Sequence, residues 1–481
     1  MGDVPIISSY LPCAASIGHD RLIDNSSYWA ERENILALEQ TQILGQQIVL
    51  TPAEQKANEF VMKIKNDELQ NAYETLEFPP SQNFMTVIDK IEASGIYDFI
   101  QKIQIGAGLH LHEIALWSVD MVVAELTYWD DLYMCTLADD LLMFSDNQIL
   151  DCPCPWQFVN AAVAQSKLRS RFELMLFLRI LSLAGSATAH ETMPAITIWL
   201  AIWASYRSLR IVVAYGHKNV IYVLAVLIKF DQDVINFSKS GASLLGLYEK
   251  NGTELDDVAT LTVYRDVAQK YADDHPGDFL GAKFIYAPIR KVDVETVEDY
   301  VKIAVEVKKA LPDFIAGFDL VGQEDLGQPL KAFLDPLLSI AELGVDLKVF
   351  YHAGETNWMG MDTDENIIDA LLLNASRIGH GYALVKHPRA KQLALEKNVP
   401  IEVCPISNQV LHLVSDLRNH PVAGLVAEGF PIVISADDPA AWGAKGLSHD
   451  FYEAFMALGG AAADLRFLKQ LAINSIKYVI L

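Results

Sequence analysis

The sequence predicts an α/β barrel of the TIM type behind a helical N-terminal arm. Three observations carry this. Short apolar runs recur between Gly108 and Asp437, and each closes on a cluster of polar residues. Helical stretches separate the later runs, the alternation expected of a parallel sheet buried on both faces. The chain of 481 residues is longer than one average domain and suits a barrel with appendages.

Residues 1–104 form the arm in this reading. Apolar residues return at helical spacing through Glu31–Gln46, Pro52–Leu76 and Met85–Ile103, interrupted at Pro79 and Pro80. The arm carries no chemistry, so its uses are packing and dimer contact. From residue 105 to 481 the barrel follows. Its strands are expected at Gly108–Ile114, Leu280–Pro288, Phe314–Gly322, Asp346–His352, Ala375–His380, Pro400–Pro405 and Phe430–Asp437. Helices are expected at Glu295–Ala310, Gln328–Leu343 and Asn366–Leu373. In such a barrel the reactive groups stand at the C-terminal ends of the strands, which is where the polar clusters fall.

Bulk properties narrow the partners. A net charge of −25 opposes phosphate backbones and anionic membrane surfaces, which argues against nucleic acid and leaves neutral small molecules open. The five cysteines are an odd number, with Cys135, Cys152 and Cys154 close together and Cys13 and Cys404 apart. No CxxC pair marks a structural zinc site. The N-terminus lacks the basic and apolar regions of a signal peptide. Four triplets, at Asn25, Asn236, Asn251 and Asn374, fit the glycosylation acceptor pattern. Residues 152–230 differ in texture, with eight Lys or Arg against two acidic residues, Glu173 and Glu191. The apolar run Pro194–Tyr206 within them is cut short by Arg207 and Arg210, so no membrane span is expected.

Four motifs sit at strand ends. His110-Leu111-His112 puts two imidazoles on one face of a strand, since residues i and i+2 point the same way. His352-Ala353-Gly354-Glu355 adds a third imidazole and a carboxylate. Gly379-His380-Gly381 leaves a ring exposed between two small residues. Asp437-Asp438-Pro439 sets two carboxylates side by side, a repulsion that a cation relieves. Three neutral histidines and one aspartate with an open position for water are the ligand set of a catalytic zinc ion.

This set of motifs resembles the adenosine deaminase superfamily. The longer runs Phe318–Gly322, His352–Thr356, Arg377–Tyr382, Ile401–Asp416 and Ser448–Tyr452 resemble the secreted adenosine deaminase-like growth factors, the adenosine deaminase 2 type, over about residues 30–135 and 245–481. The resemblance implies hydrolytic deamination of adenosine and 2′-deoxyadenosine. It implies one zinc ion per chain on His110, His112, His352 and Asp437, with Glu355 donating a proton to purine N1. His380 would orient and deprotonate the water, and Asp438 would hold the hydroxide and contact N7. Gly322 would offer its N–H to N3, and Glu113 would face the ribose, where most relatives carry Asp. The resemblance further implies a homodimer through the arm, an extracellular location, and a small disulfide-bearing insertion after the first strand, within residues 119–215.

Four departures accompany it, one being that residues 152–230, with their shifted composition, do not resemble the family. Ile105-Gly106-Ala107 stands where relatives have Pro-Lys-Gly. Asn219–Tyr222 looks like the start of the second strand, but Val223–Val226 follows instead of Leu-Glu-x-Arg. Relatives also continue with a terminal helix beyond Ser475–Tyr478. The competing expectation is a growth-factor-like extracellular protein of the same family that binds without turnover, and a third is an amidohydrolase for another aminopurine.

Overall fold

The computed structural model describes residues 24–112, 255–274 and 281–479, with the backbone of four short strands between 133 and 242. The arm consists of α1 (Asn25–Gln42), α2 (Pro52–Thr75), α3 (Phe84–Glu92) and α4 (Gly95–Ile100). Each starts on a side chain that accepts from an otherwise orphaned N–H: Asp24, Thr51, Asn83 and Ser94. At Thr51 the cap is reciprocal, because Glu54 returns a bond to the Thr51 N–H, and Pro52 occupies the first turn. Pro79 and Pro80 form a short 3-10 turn between α2 and α3, as the interruption in the pattern required.

Within the span 119–215, β1 (Tyr133–Thr136) pairs antiparallel with β2 (Leu142–Ser145) and β3 (Gln157–Phe158). The parallel sheet comprises β4 (Lys239–Ala242), β5 (Lys283–Tyr286), β6 (Ile315–Phe318), β7 (Lys348–Ala353), β8 (Arg377–His380), β9 (Ile401–Val403) and β10 (Ile432–Ile434), side by side in chain order. Leu111 makes a parallel bridge to Asp437, so the segment bearing His110 and His112 lies next to the end of β10. These are eight parallel segments of a TIM barrel. Asn219–Tyr222, the expected second strand, lies outside the described residues, as does Pro194–Tyr206. No described helix is long and apolar enough to cross a membrane.

The intervening helices are α5 (Asp257–Asp274), α6 (Val294–Ala310), α7 (Leu334–Glu342), α8 (Asn366–Leu372), α9 (Pro388–Glu396), α10 (Pro405–Val410), α11 (Val422–Ala427), α12 (Gly446–Glu453) and α13 (Leu465–Lys477). The helix α6 buries Val297, Val301, Ala304 and Val305, a stripe at spacings of three and four, against the sheet. The long helix α13 ties the sheet together from outside. Its Asn474 donates to the Ile432 carbonyl (2.9 Å) and its Ser475 hydroxyl accepts from Ala107 N–H (2.8 Å). That close approach explains Gly106. Its φ is +92°, and a Cβ there would fall 2.1 Å from Ser475 Oγ. The arm is anchored by Lys65 of α2, which is fully buried and donates to the carbonyls of Phe455 (2.8 Å) and Ala463 (2.7 Å).

Candidate metal centre

The ends of the strands bring His110, His112, His352 and Asp437 together. All four are buried, and one ligand atom from each lies within 4.8 Å of the others. His110 Nε2 is 3.2 Å from His112 Nε2, and Asp437 Oδ1 is 3.3 Å and 2.9 Å from the two. The ring of His352 sits 4.5 Å from that of His110. Burial opposes ionisation of Asp437, but the hydrogen bonds from His110 and His112 outweigh it and hold the carboxyl well below the usual range.

Register explains how this happens. His352 on β7, Gly379 on β8 and Glu402 on β9 are successive partners, so they form one row. Partners in a row project to the same face, and Gly379 leaves a gap there. A Cβ on Gly379 would stand 3.3 Å from His110 Cε1, so the ring of His110 occupies the space a side chain would need. Through that gap Glu402 reaches His110 Nδ1 at 2.9 Å. Asp319, just past β6, holds His352 Nδ1 at 2.9 Å and its N–H at 3.0 Å. Each carboxylate fixes the proton on Nδ1 and turns the other nitrogen toward the cluster, the outer-shell arrangement of metal-binding imidazoles. The donor set fits a divalent metal with nitrogen and oxygen preference. Asp319→Asn weakens the hold on His352 and should lower metal affinity about 10–100-fold; competition with a chromophoric chelator measures it, and unchanged affinity would remove Asp319 from this role.

Glu355 and His380 complete the site. His380 Nδ1 lies 3.3 Å from Glu355 Oε1, and its Nε2 lies 4.0 Å from Asp437 Oδ2. Burial, then the charge of Asp437, push Glu355 well above the ordinary carboxylate range, which favours a neutral acid. Burial pushes His380 well below the usual imidazole range. Asp438 is pushed up to about 7, first by burial and then by Asp437. His380 and Asp437 both take positive φ, 58° and 59°, a conformation that costs a non-glycine residue roughly 1–3 kcal/mol and tends to gather at functional sites. The turn bearing Glu355 is held from below by Glu324, which accepts from the N–H groups of Gly354 (3.0 Å) and Glu355 (2.6 Å) and pairs with buried Arg290 at 3.1 Å.

Gly322 follows β6 at φ +97°, three residues past Asp319. Glu113 lies outside the described residues, one position beyond His112. So do Cys13, Cys152 and Cys154. Cys404 is free and buried beside the site; burial raises its thiol well above the ordinary value, which makes it a poor ligand although it lies near His380 and Asp437.

Asp319, Glu402, Glu324 and Arg290 contact the candidate site and were not singled out by the motifs alone. A signal existed for two of them. Asp319 and Glu402 are charged residues inside otherwise apolar strand runs, and a charge there needs a partner.

The fold and site together define an α/β barrel protein with a buried histidine-aspartate group that could hold a metal ion at its strand ends. The solved structure of Arabidopsis ADAL complexed with IMP matches with a TM-score of 0.53 at 16% identity, over 79% of this chain and 93% of that one. An amidohydrolase from Burkhoderia ambifaria with bound Zn matches with a TM-score of 0.50 at 16% identity, over 80% and 87%. A family model described as Adenosine deaminase matches residues 257–481, and one described as Adenosine/AMP deaminase N-terminal matches residues 14–100. Adenosine deaminase 2 of Homo sapiens is 40% identical over 453 residues, covering 93% of this chain and 88% of that protein. The chain belongs to the adenosine deaminase family, within its adenosine deaminase 2 type.

Proposed function

We propose that this protein hydrolyses adenosine and 2′-deoxyadenosine to inosine and 2′-deoxyinosine with release of ammonia, using one zinc ion held by His110, His112, His352 and Asp437. The observation that carries the reading is the meeting of this donor group with a half-buried Glu355, whose carboxyl lies 3.3 Å from His380. Zinc bound there supplies a water of lowered pKa, near about 7. The side chains do the rest. Glu355 donates its proton to purine N1, which makes C6 electrophilic. His380 orients the attacking oxygen, and Asp438 stands beside it and contacts N7. The Gly322 N–H meets N3, and Glu113 faces the ribose. The oxygen adds to C6 as its proton passes to a neighbouring base, that proton is returned to the amino nitrogen, the bond from C6 to this nitrogen breaks, and ammonia leaves.

The test is ammonia release from adenosine by purified protein, with zinc measured on the same sample. Turnover with about one zinc per chain, lost on chelation and restored by zinc, is expected for a three-histidine catalytic site. Zinc without turnover on adenosine, 2′-deoxyadenosine or other aminopurines would instead favour a binding protein.

A homodimer through the arm belongs to the same proposal. None of the 18 residues of α1 is buried, and Tyr28, Trp29, Ile35, Leu36 and Leu38 are exposed along it. Apolar residues at this density on one helix suit a partner surface. Trp29→Glu with Leu36→Glu should convert a dimer of twice the 53.4 kDa chain mass into a monomer by light scattering; a wild-type monomer at micromolar concentration overturns the assignment. We also place the protein outside the cell. Two of the acceptor asparagines, Asn25 and Asn374, are exposed, and a glycosidase-sensitive mass on protein from secreting cells is the expected result.

A further inference from the structure

We propose that His420 and Asn408 are positioning residues that fix the tautomer of His380, so that His380 turns an N–H donor, not a lone pair, toward the metal cavity. The proposal deepens the deaminase reading and rests on His380 serving the reacting oxygen.

The Val422 N–H donates to His420 Nδ1 at 3.2 Å. A backbone amide can only donate, so this nitrogen carries no proton and the neutral ring holds its proton on Nε2. His420 is buried, and burial pushes its imidazole down to about 3, so the ring is neutral at pH 7. Its Nε2 lies 3.0 Å from Asn408 Oδ1. A donor there requires the amide oxygen of Asn408 to face His420; the reversed amide would set N–H against N–H. The amide NH₂ then faces His380 Nδ1 at 3.4 Å. That ring nitrogen therefore accepts, and the proton of neutral His380 sits on Nε2, the nitrogen 4.0 Å from Asp437. Glu355 Oε1 lies 3.3 Å from the same Nδ1 but makes no hydrogen bond to it, so Asn408 is the group that sets the polarity of this nitrogen.

Neither residue belongs to the donor group. Asn408 is buried on α10, directly after β9, and His420 just precedes α11. Their effect on the reaction is one of polarity. His380 holds the attacking oxygen by donating to it. This departs from the expectation that His380 deprotonates the water: with its proton on Nε2 it only holds the oxygen, and in this proposal the proton lost when the water O–H breaks passes to the Asp438 carboxylate as the oxygen bonds to C6.

The experiment uses full-length protein with ¹⁵N-labelled histidine. There are 12 histidines in the chain, and His380 is assigned by its loss in His380→Gln. Wild type is expected to show His380 protonated at Nε2. In Asn408→Asp a carboxylate faces Nδ1 and accepts from it, so the tautomer reverses. His420→Phe removes the donor that orients Asn408, whereas His420→Gln retains one. We expect kcat to fall roughly 10–100-fold in Asn408→Asp and His420→Phe, with KM within about threefold, and His420→Gln to recover most of it. Wild-type His380 protonated at Nδ1, an unchanged tautomer in Asn408→Asp, or full kcat in His420→Phe each overturns the proposal. Should Asn408→Asp not fold, the wild-type spectrum and the two His420 variants still decide. The spectrum needs no turnover. An inactive wild type with the expected tautomer would therefore count against the deaminase reading alone, and an active one with the reversed tautomer against this proposal alone.

Discussion

Glu355→Gln is expected to keep its metal and lose about 10²–10⁴ in kcat, the range for a positioned general acid. Glu355 contributes no atom to the group formed by His110, His112, His352 and Asp437, so glutamine leaves that group intact. Glutamine also matches the shape and can still form a hydrogen bond to the purine. It has no acidic proton to give. Burial and the neighbouring Asp437 push the native carboxyl well above the ordinary carboxylate range, which favours the proton-bearing form, and this is the property the variant removes. Steady-state kcat and metal content on one sample separate the outcomes. Turnover within about threefold of wild type would sink the proton-donor role, because general acid catalysis is worth far more. Loss of metal would instead place Glu355 among the ligands.

Arg377→Met is expected to cost about 3–5 kcal/mol of stability, the range for removing one partner of a buried ion pair. Arg377 and Glu402 are both buried, and their contact is 2.5 Å. The guanidinium also donates to the carbonyls of Tyr478 (3.0 Å) and Leu109 (3.3 Å) and lies over the Phe350 ring. It therefore joins β7, β8, β9, the first barrel segment and the chain after α13. Without it, Glu402 keeps a buried charge whose other partner, His110, is needed as a neutral ligand. The double variant Arg377→Met with Glu402→Met should regain much of the loss, since no lone charge remains. It should still bind metal about 10–100-fold more weakly, because His110 has lost its orienting carboxylate. Chemical denaturation of the apo forms tests the first part. A single-variant loss under about 1 kcal/mol, a cost typical of exposed pairs, would show that the pair is not holding the barrel.

Local signals gave the sequence its reach. Periodicity decides whether a segment can bury one face as a helix or both faces as a strand, so the arm and the later strands and helices were legible from it. The ends moved by a few residues; the expected strand Phe314–Gly322 is regular only over Ile315–Phe318, and the expected helix Gln328–Leu343 divides into a 3-10 turn at Leu330–Phe333 and the α-helix Leu334–Glu342. Such ends depend on capping and packing more than on pattern. The motifs at the strand ends were legible too, and His110, His112, His352 and Asp437, on which they fall, meet in one buried group that could hold a metal.

What the sequence determined by itself is therefore the set of segments and the chemistry each end carries. Only the tertiary structure decided which carboxylate serves which imidazole. Glu402 lies 292 residues from His110, and Asp319 lies 33 from His352. No local rule links such pairs. They meet because parallel register sets His352, Gly379 and Glu402 in one row, and because Gly379 leaves the space that His110 fills. The same holds for His420, Asn408 and His380, whose hydrogen-bond polarity exists only once three separate turns are packed together. Ligand identity is a property of residues, whereas ligand orientation is a property of the packed sheet.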